Sequence, residues 1–344
     1  MTAASSTVDS IGTPSVRPAD LNLQRKAALV AGGAVDHAGR VRVAKMKGFD
    51  MGRTIFGSLE GRLPRLMMAD KLGKEAFWSD EAIASIDGAY AASLAEQPTP
   101  AIDPALIAFM EQECDFSMEH ADGSFLEHLV FCHDYAARHY PGHSPNVALL
   151  HSILGTGTNT FAMPVSKLPA LRELLTDEEA LHIEAFPSFV RLFYDQALLA
   201  ELTDNLHRLD QLKAIHFHRV IDNAELSMGA DALWVHLNYQ LMHFVDFMPP
   251  ANWGARRADP LMLQFRELSR FLDLAGRREA RVEVAFPERM ARPVGERPTV
   301  VSTVAGLLPP SLTLKLARKS IRAYSAAIGH SLDYRLEWSA SHEA

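Results

Sequence analysis

Helical periodicity runs almost unbroken from Pro104 to about Ala275, and it fixes most of what this 344-residue chain can become. Leu106, Ile107, Phe109 and Met110 line residues 104–114, and Phe125, Leu126, Leu129, Val130 and Tyr135 recur at helical spacing over 124–140. A turn at Pro141, Gly142, His143, Ser144 and Pro145 leads into a short apolar helix over 147–154. Further helices are expected at 168–175, 177–185, 187–203, 204–222, 229–247 and 260–275. With 48% hydrophobic residues the chain has ample material for a sizeable core, which excludes a disordered protein.

The flanks differ from this centre. Residues 1–22, rich in Ser, Thr, Ala and Pro, read as a flexible arm. Residues 23–100 read as a helical N-terminal extension, with a helix starting at Ser79, Asp80 and Glu81 and running to about Glu96. Pro98, Pro100 and Pro104 break the chain before a helical core at 101–276. Residues 277–344 form a small α+β appendage: Arg281–Phe286 and Leu332–Trp338 alternate with period two and read as strands able to pair with each other, with a helix over 310–328 between them. The fold class is therefore mostly α.

Charge and cysteine content remove several function classes. Lys and Arg number 34 against 42 Asp and Glu, a net charge of −8, and no basic block stands out. Such a chain is a poor partner for nucleic acid or an anionic membrane. Two cysteines, Cys114 and Cys132, exclude a disulfide framework and a Cys-rich zinc module and suit a reducing compartment. No stretch is apolar enough to span a membrane, and the N-terminus has neither the basic nor the apolar part of a secretory signal. The expectation is a soluble cytoplasmic protein acting on a small molecule. The C-terminal strands either cap the core or form a homodimer contact.

Histidine is the unusual residue. Of 15 in the chain, 12 lie between His120 and His243, and histidine is the commonest metal ligand. His128 stands early on the 124–140 helix, and His151 follows 23 residues later inside the apolar run Val147–Leu154. Two antiparallel helices joined at Pro141–Pro145 can bring both imidazoles to one point. A histidine inside a buried apolar run needs a partner, and either a metal or a hydrogen-bonding group satisfies that need.

Phe-Leu-Glu-His128 followed by Leu-His151-Ser resembles the HD-domain superfamily, over roughly residues 104–250. The resemblance implies an HD-like helical core holding one or two metal ions. The first His matches His128, the second His151, and the distant Asp best matches Asp246 in His243-Phe-Val-Asp246. The residue after the second His departs from the pattern: the superfamily's Asp is Ser152 here. The Leu-His-Ser form is similar to a group of HD-like proteins with no settled function. On this resemblance His128, His151 and Asp246 form a 2-His-1-carboxylate set suited to Fe(II), and also to Mn or Zn. His182 is the next candidate ligand. Glu127, beside His128 but aimed elsewhere, is a candidate acid/base, as is His151.

The other polar candidates carry less. His216 and His218 diverge by about 200° if helical, and with His133, His139 and His143 they read as solvated or structural. His236 and His243, seven residues apart, share a helix face. Cys132 lies four residues after His128 and reads foremost as a buried structural thiol. The Gly155–Asn159 loop and Arg191, Arg219, Arg256 and Arg257 are generic anion-binding candidates. No nucleophile elbow, Walker A sequence or His-Glu-x-x-His motif occurs. The apolar neighbours Phe125, Phe131, Phe161, Phe186 and Phe189 favour an iron oxygenase or oxidoreductase over a phosphohydrolase. A degenerate scaffold that binds a ligand or partner without catalysis is the alternative that Ser152 supports.

Overall fold

The computed structural model describes residues 21–31, 33–34, 61–72, 80–114, 119–120, 123–155, 163–251, 258–284 and 300–339. These are mostly helical, with a small three-stranded antiparallel sheet. The helices are α1 (Leu23–Ala31), α2 (Arg62–Leu72), α3 (Asp80–Glu96), α4 (Pro104–Glu113), α5 (Phe125–His139), α6 (Pro145–Leu150), α7 (Leu168–Arg172), α8 (Asp177–Asp195), α9 (Ala197–Asp204), α10 (Ala230–Ala251), α11 (Pro260–Leu274), α12 (Val300–Leu307) and α13 (Pro310–Ala327). The strands are β1 (Gly33–Ala34), β2 (Glu119–His120), β3 (Gly123–Ser124), β4 (Leu212–His218), β5 (Glu225–Gly229), β6 (Glu283–Val284) and β7 (Arg335–Trp338). One buried apolar cluster extends from Leu21 to Leu336 and draws on α1, on α3 to α11 and on the sheet strands β4, β5 and β7.

α5, α6, α8 and α10 form the centre, and each is held by local chemistry. Ser144 caps α6 by accepting from the Asn146 amide at 3.3 Å, with Pro145 in the first turn. Thr176 and Glu179 make a reciprocal capping box on α8. Glu179 also accepts from Ser144 Oγ at 2.5 Å and Asn146 Nδ2 at 3.0 Å, so one carboxylate ties the starts of α6 and α8 together. Burial works to raise its pKa, and these hydrogen bonds outweigh that and hold it below the usual carboxylate range. Tyr239 on α10 donates to Ser144 O at 2.7 Å and fastens the third helix to the same corner.

Three expectations are corrected. The helix expected over 204–222 is a short 3₁₀ turn followed by β4, the central strand of the sheet β5–β4–β7. Ile215 pairs with Met228 and Leu336, and these three bury one face of the sheet, where β4 packs on α10. The two C-terminal strands do not pair with each other. β7 joins β4, while β6 pairs in parallel with β1. Finally, 177–185 and 187–203 are not separate helices broken at Pro187: α8 runs through Pro187 and ends at Gln196, in left-handed conformation at φ 69°. A proline inside a helix costs about 3 kcal/mol. Here almost every residue from His182 to Phe193 is buried, and that packing outweighs the local cost. The expected arm is described only at Leu21 and Asn22, and residues 1–20 lie outside the described residues.

Candidate metal centre

The turn at 140–144 folds α6 back along α5 and brings His128 and His151 together. Their Nε2 atoms stand 3.0 Å apart, with both side chains buried. His151 follows the last turn of α6 and remains in helical conformation. Its Nδ1 is 2.6 Å from Ala148 O. A carbonyl only accepts, so the His151 proton sits on Nδ1 and the Nε2 lone pair faces His128. Two nitrogens bound at about 2.1 Å to one ion stand roughly 3.0 Å apart at a right angle and roughly 3.4 Å apart at the tetrahedral angle. The observed separation fits such a pair, and it also fits a single N–H···N hydrogen bond.

Cys132, one turn along α5 from His128, places Sγ 3.8 Å from His128 Nδ1 and 4.0 Å from its Nε2. The ligand atoms of His128, Cys132 and His151 all lie within 4.8 Å of one another, and this buried group could hold a metal ion. The sequence spacing had placed Cys132 on the right helix face, but nothing local distinguished a site thiol from a core thiol. His243 adds a third imidazole: its ring lies 4.6 Å from that of His151 and 6.0 Å from that of His128. Aromatic rings close the surroundings. Phe125 stacks on His128 at 6.2 Å, and Phe186 lies 4.8 Å from His151 and 5.3 Å from His243. Asp246 falls on α10, one turn beyond His243, and its side chain lies outside the described residues.

His182 is placed elsewhere. It pairs with His236 at 3.2 Å between Nδ1 atoms, on the other side of Phe186 from His151. His236 and His243 do share a helix face, but seven residues of rise separate them by about 10.5 Å, so each serves a different imidazole. The protons of the second pair can be placed. Gln240 Nε2 gives one hydrogen to Phe186 O at 3.0 Å and its other to His236 Nε2 at 3.1 Å. His236 is therefore protonated at Nδ1 and donates to His182 Nδ1. His182 in turn carries its proton on Nε2, 4.0 Å from Glu178 Oε1. Burial lowers His182 to about 4 and drives His236 well below the ordinary value, so both are neutral.

Glu127 points from α5 to the N-terminal helix. Its Oε1 accepts from the Asn22 amide at 2.7 Å and forms an ion pair with the buried Arg25 guanidinium at 2.9 Å, so it docks α1 beside the centre. His216 and His218 are corrected from helix to strand, where residues two apart share a face. His216 meets Glu337 at 3.1 Å and His218 meets Asp333 O at 3.3 Å. His133 contacts Asp134, His139 contacts Leu29 O and His143 contacts Glu279. Arg191 packs on Tyr324 and Ser325, and Arg219 on Glu184 and Asp222. Arg256, Arg257, Phe161 and residues 156–159 of the glycine-containing loop lie outside the described residues. Among the described residues no helix is long and apolar enough to cross a membrane. Comparison with protein-family models, with curated proteins and with solved structures finds no match to this chain.

Proposed function

We propose that this chain is a metal-dependent enzyme acting on a small, largely apolar molecule, with non-haem iron oxidation or oxygenation as the favoured chemistry. The observation that carries the reading is the His128–His151 pair at 3.0 Å, with the His151 lone pair fixed toward its partner by the bond to Ala148 O. A carbonyl that sets the tautomer of a ligating histidine is the usual support around a metal. Fe(II) on this pair would supply open positions for substrate and an oxidant. Phe125 and Phe186 would exclude water and contact an apolar substrate. Asp246, carried over from the HD-domain resemblance, is the proposed carboxylate ligand; His151 would serve as acid/base only in a metal-independent form of the site, and Glu127, the other acid/base candidate, is engaged by Asn22 and Arg25.

A second reading rests on Cys132. Thiolate is a soft ligand that suits zinc, and a His-Cys-His zinc centre would make the chain a hydrolase by activating water. The test is metal content of protein purified without a metal-affinity tag, for the wild type, His128→Ala and His151→Ala. The expected result is about one ion per chain, lost in both variants, with iron directing the next assay to oxygen consumption and zinc or manganese to hydrolysis. Absence of stoichiometric metal after anaerobic Fe(II) reconstitution would sink both readings and leave a ligand-binding scaffold.

A further inference from the structure

Net charge hides how the charges are arranged. From Val300 to Leu332 the chain has no Asp or Glu and carries Lys315, Arg318, Lys319 and Arg322, of which Arg318 and Arg322 pair with Asp195 at the end of α8. The first eight residues of α2, 62–69, hold Arg62 and Arg65 and again no acid. α2 and α12 pack against each other, and α13 follows α12 directly. This cationic region is also where apolar side chains are most exposed. Of the 11 large hydrophobics exposed among the described residues, seven lie here: Leu63, Leu66, Val300, Val304, Leu307, Leu312 and Ile328. Val300 and Leu307 are each 80% exposed.

Helical geometry sorts these residues into stripes. At 100° per residue, Arg65, Arg62, Leu66 and Leu63 follow one another around an arc of about 160° on α2, arginines at one edge and leucines at the other. Val300, Val304 and Leu307 fall within about 60° on α12, a helix with no charged residue. Leu312, Lys315 and Lys319 fall within about 60° on α13, and both lysines are exposed. Apolar side chains flanked by basic ones on adjacent helices are the composition of a surface that lies in the headgroup region of a bilayer. Exposed apolar area on this scale marks an interaction site.

We propose that the α2–α12–α13 face docks the protein peripherally on an anionic lipid surface, with Val300, Leu307 and Leu66 entering the headgroup layer and Arg62 and Lys315 pairing with lipid phosphates. Charge selects this occupant over a second copy of the chain, because a two-fold contact would bring the arginines and lysines of one copy against those of the other. The inference is independent of the metal centre.

Vesicle flotation of the full chain tests it, comparing phosphatidylcholine vesicles with vesicles containing about 30% phosphatidylglycerol. Flotation on the anionic vesicles, weakened by salt, is expected. Val300→Asp with Leu307→Asp should cut the bound fraction at least about tenfold, and Lys315→Glu with Arg62→Glu should cut it comparably. Leu274→Asp, at a leucine 58% exposed on α11, should leave it unchanged. Thermal melts check that every variant stays folded. Equal flotation on neutral vesicles, no flotation on anionic ones, or indifference to the α12 substitutions would overturn the proposal. So would a dimer in light scattering that those substitutions dissolve without any vesicle binding.

Discussion

Phe186 lies between two histidine pairs, its ring 4.8 Å from His151 on one side and 5.5 Å from His236 on the other. The His128–His151 pair has the thiol of Cys132 beside it, whereas the His182–His236 pair is completed by the amide of Gln240. Among the described residues only the first pair has a third metal-ligating side chain within reach. Cobalt(II) should report this difference. Cobalt-loaded protein should show a thiolate-to-metal band in the near ultraviolet that Cys132→Ser abolishes while the ion remains bound. His182→Gln should leave the band in place. A spectrum unchanged by Cys132→Ser would remove Cys132 from the ligand set.

The second pair makes stability fall with acidity. His182 titrates near 4 in the folded protein against about 6.5 when unfolded, because burial disfavours the imidazolium. Its surroundings are His236, Tyr239, Glu178 and His143. Above pH 6.5 both states are neutral there and the histidine costs nothing. As pH falls below 6.5 the unfolded chain takes the proton first, and stability is lost progressively until about pH 4, on the order of 3 kcal/mol for this residue. Between pH 7.5 and 5.5, where carboxylates titrate little, the loss is about 1.4 kcal/mol for each such buried histidine. Urea denaturation at the two pH values should show it. His182→Gln should reduce the pH difference by that amount whatever it does to absolute stability, and an unchanged difference would mean that His182 is protonated in the fold.

Local signals were legible in the sequence, and distant ones were not. Asp80 and Glu81 at a helix start are local, and α3 spans Asp80–Glu96 much as they imply. The approach of His128 and His151 needed only one turn between two apolar helices, and it too could be read. β4 could not. Leu209, Leu212 and Ile215 are spaced three apart like a helix face, and the alternation that marks a strand is confined to Ile215–His218. Pairing with β7, more than 110 residues away, decides the state. The same holds for Glu127, whose partners Asn22 and Arg25 are separated from it by about a hundred residues. Cys132 read foremost as a core thiol, and its place in a group that could hold a metal needed His151 to be brought in by α6.

Glu184 holds the lower part of α8 to the sheet. It is 3% exposed, accepts from Arg172 Nε at 2.5 Å and Nη2 at 2.7 Å, and is bound by Arg219, which also grips Asp222 at 2.6 and 2.9 Å. Arg172 is half exposed, so water replaces much of what it gives, and Arg172→Ala should cost under about 1 kcal/mol. Arg219 is largely buried, and Glu184→Ala strands part of its charge, for a loss of about 2–4 kcal/mol. Chemical denaturation should return this order. Equal costs for the two variants would show that the carboxylate is better solvated than its burial indicates.

Asn238 fixes the approach of α10 to α5, and with it the position of His243 beside the candidate centre. Its side chain is wholly buried and fully engaged: Nδ2 donates to Trp234 O and Arg277 O, both at 2.9 Å, and Oδ1 accepts from the amides of Glu279 and Ala280, also both at 2.9 Å. The next amide, Arg281, donates to His139 O at the end of α5 at 2.7 Å. The 277–281 segment thus staples the two helices through one amide side chain. Asn238→Leu fills similar volume but leaves two buried amide donors without an acceptor, at about 1–3 kcal/mol each, so a loss of roughly 3–5 kcal/mol is expected. Asn238→Asp keeps the acceptor and should cost less only where pH is low enough to protonate it, since a buried carboxylate facing two carbonyls is repelled. Hydrogen exchange locates the effect. In Asn238→Leu the Glu279 and Ala280 amides should exchange at least about a hundredfold faster, while amides of β4 change only as far as global stability falls. Protection retained at Glu279 and Ala280 would mean that the segment is held by its packing on α10 and not by this side chain.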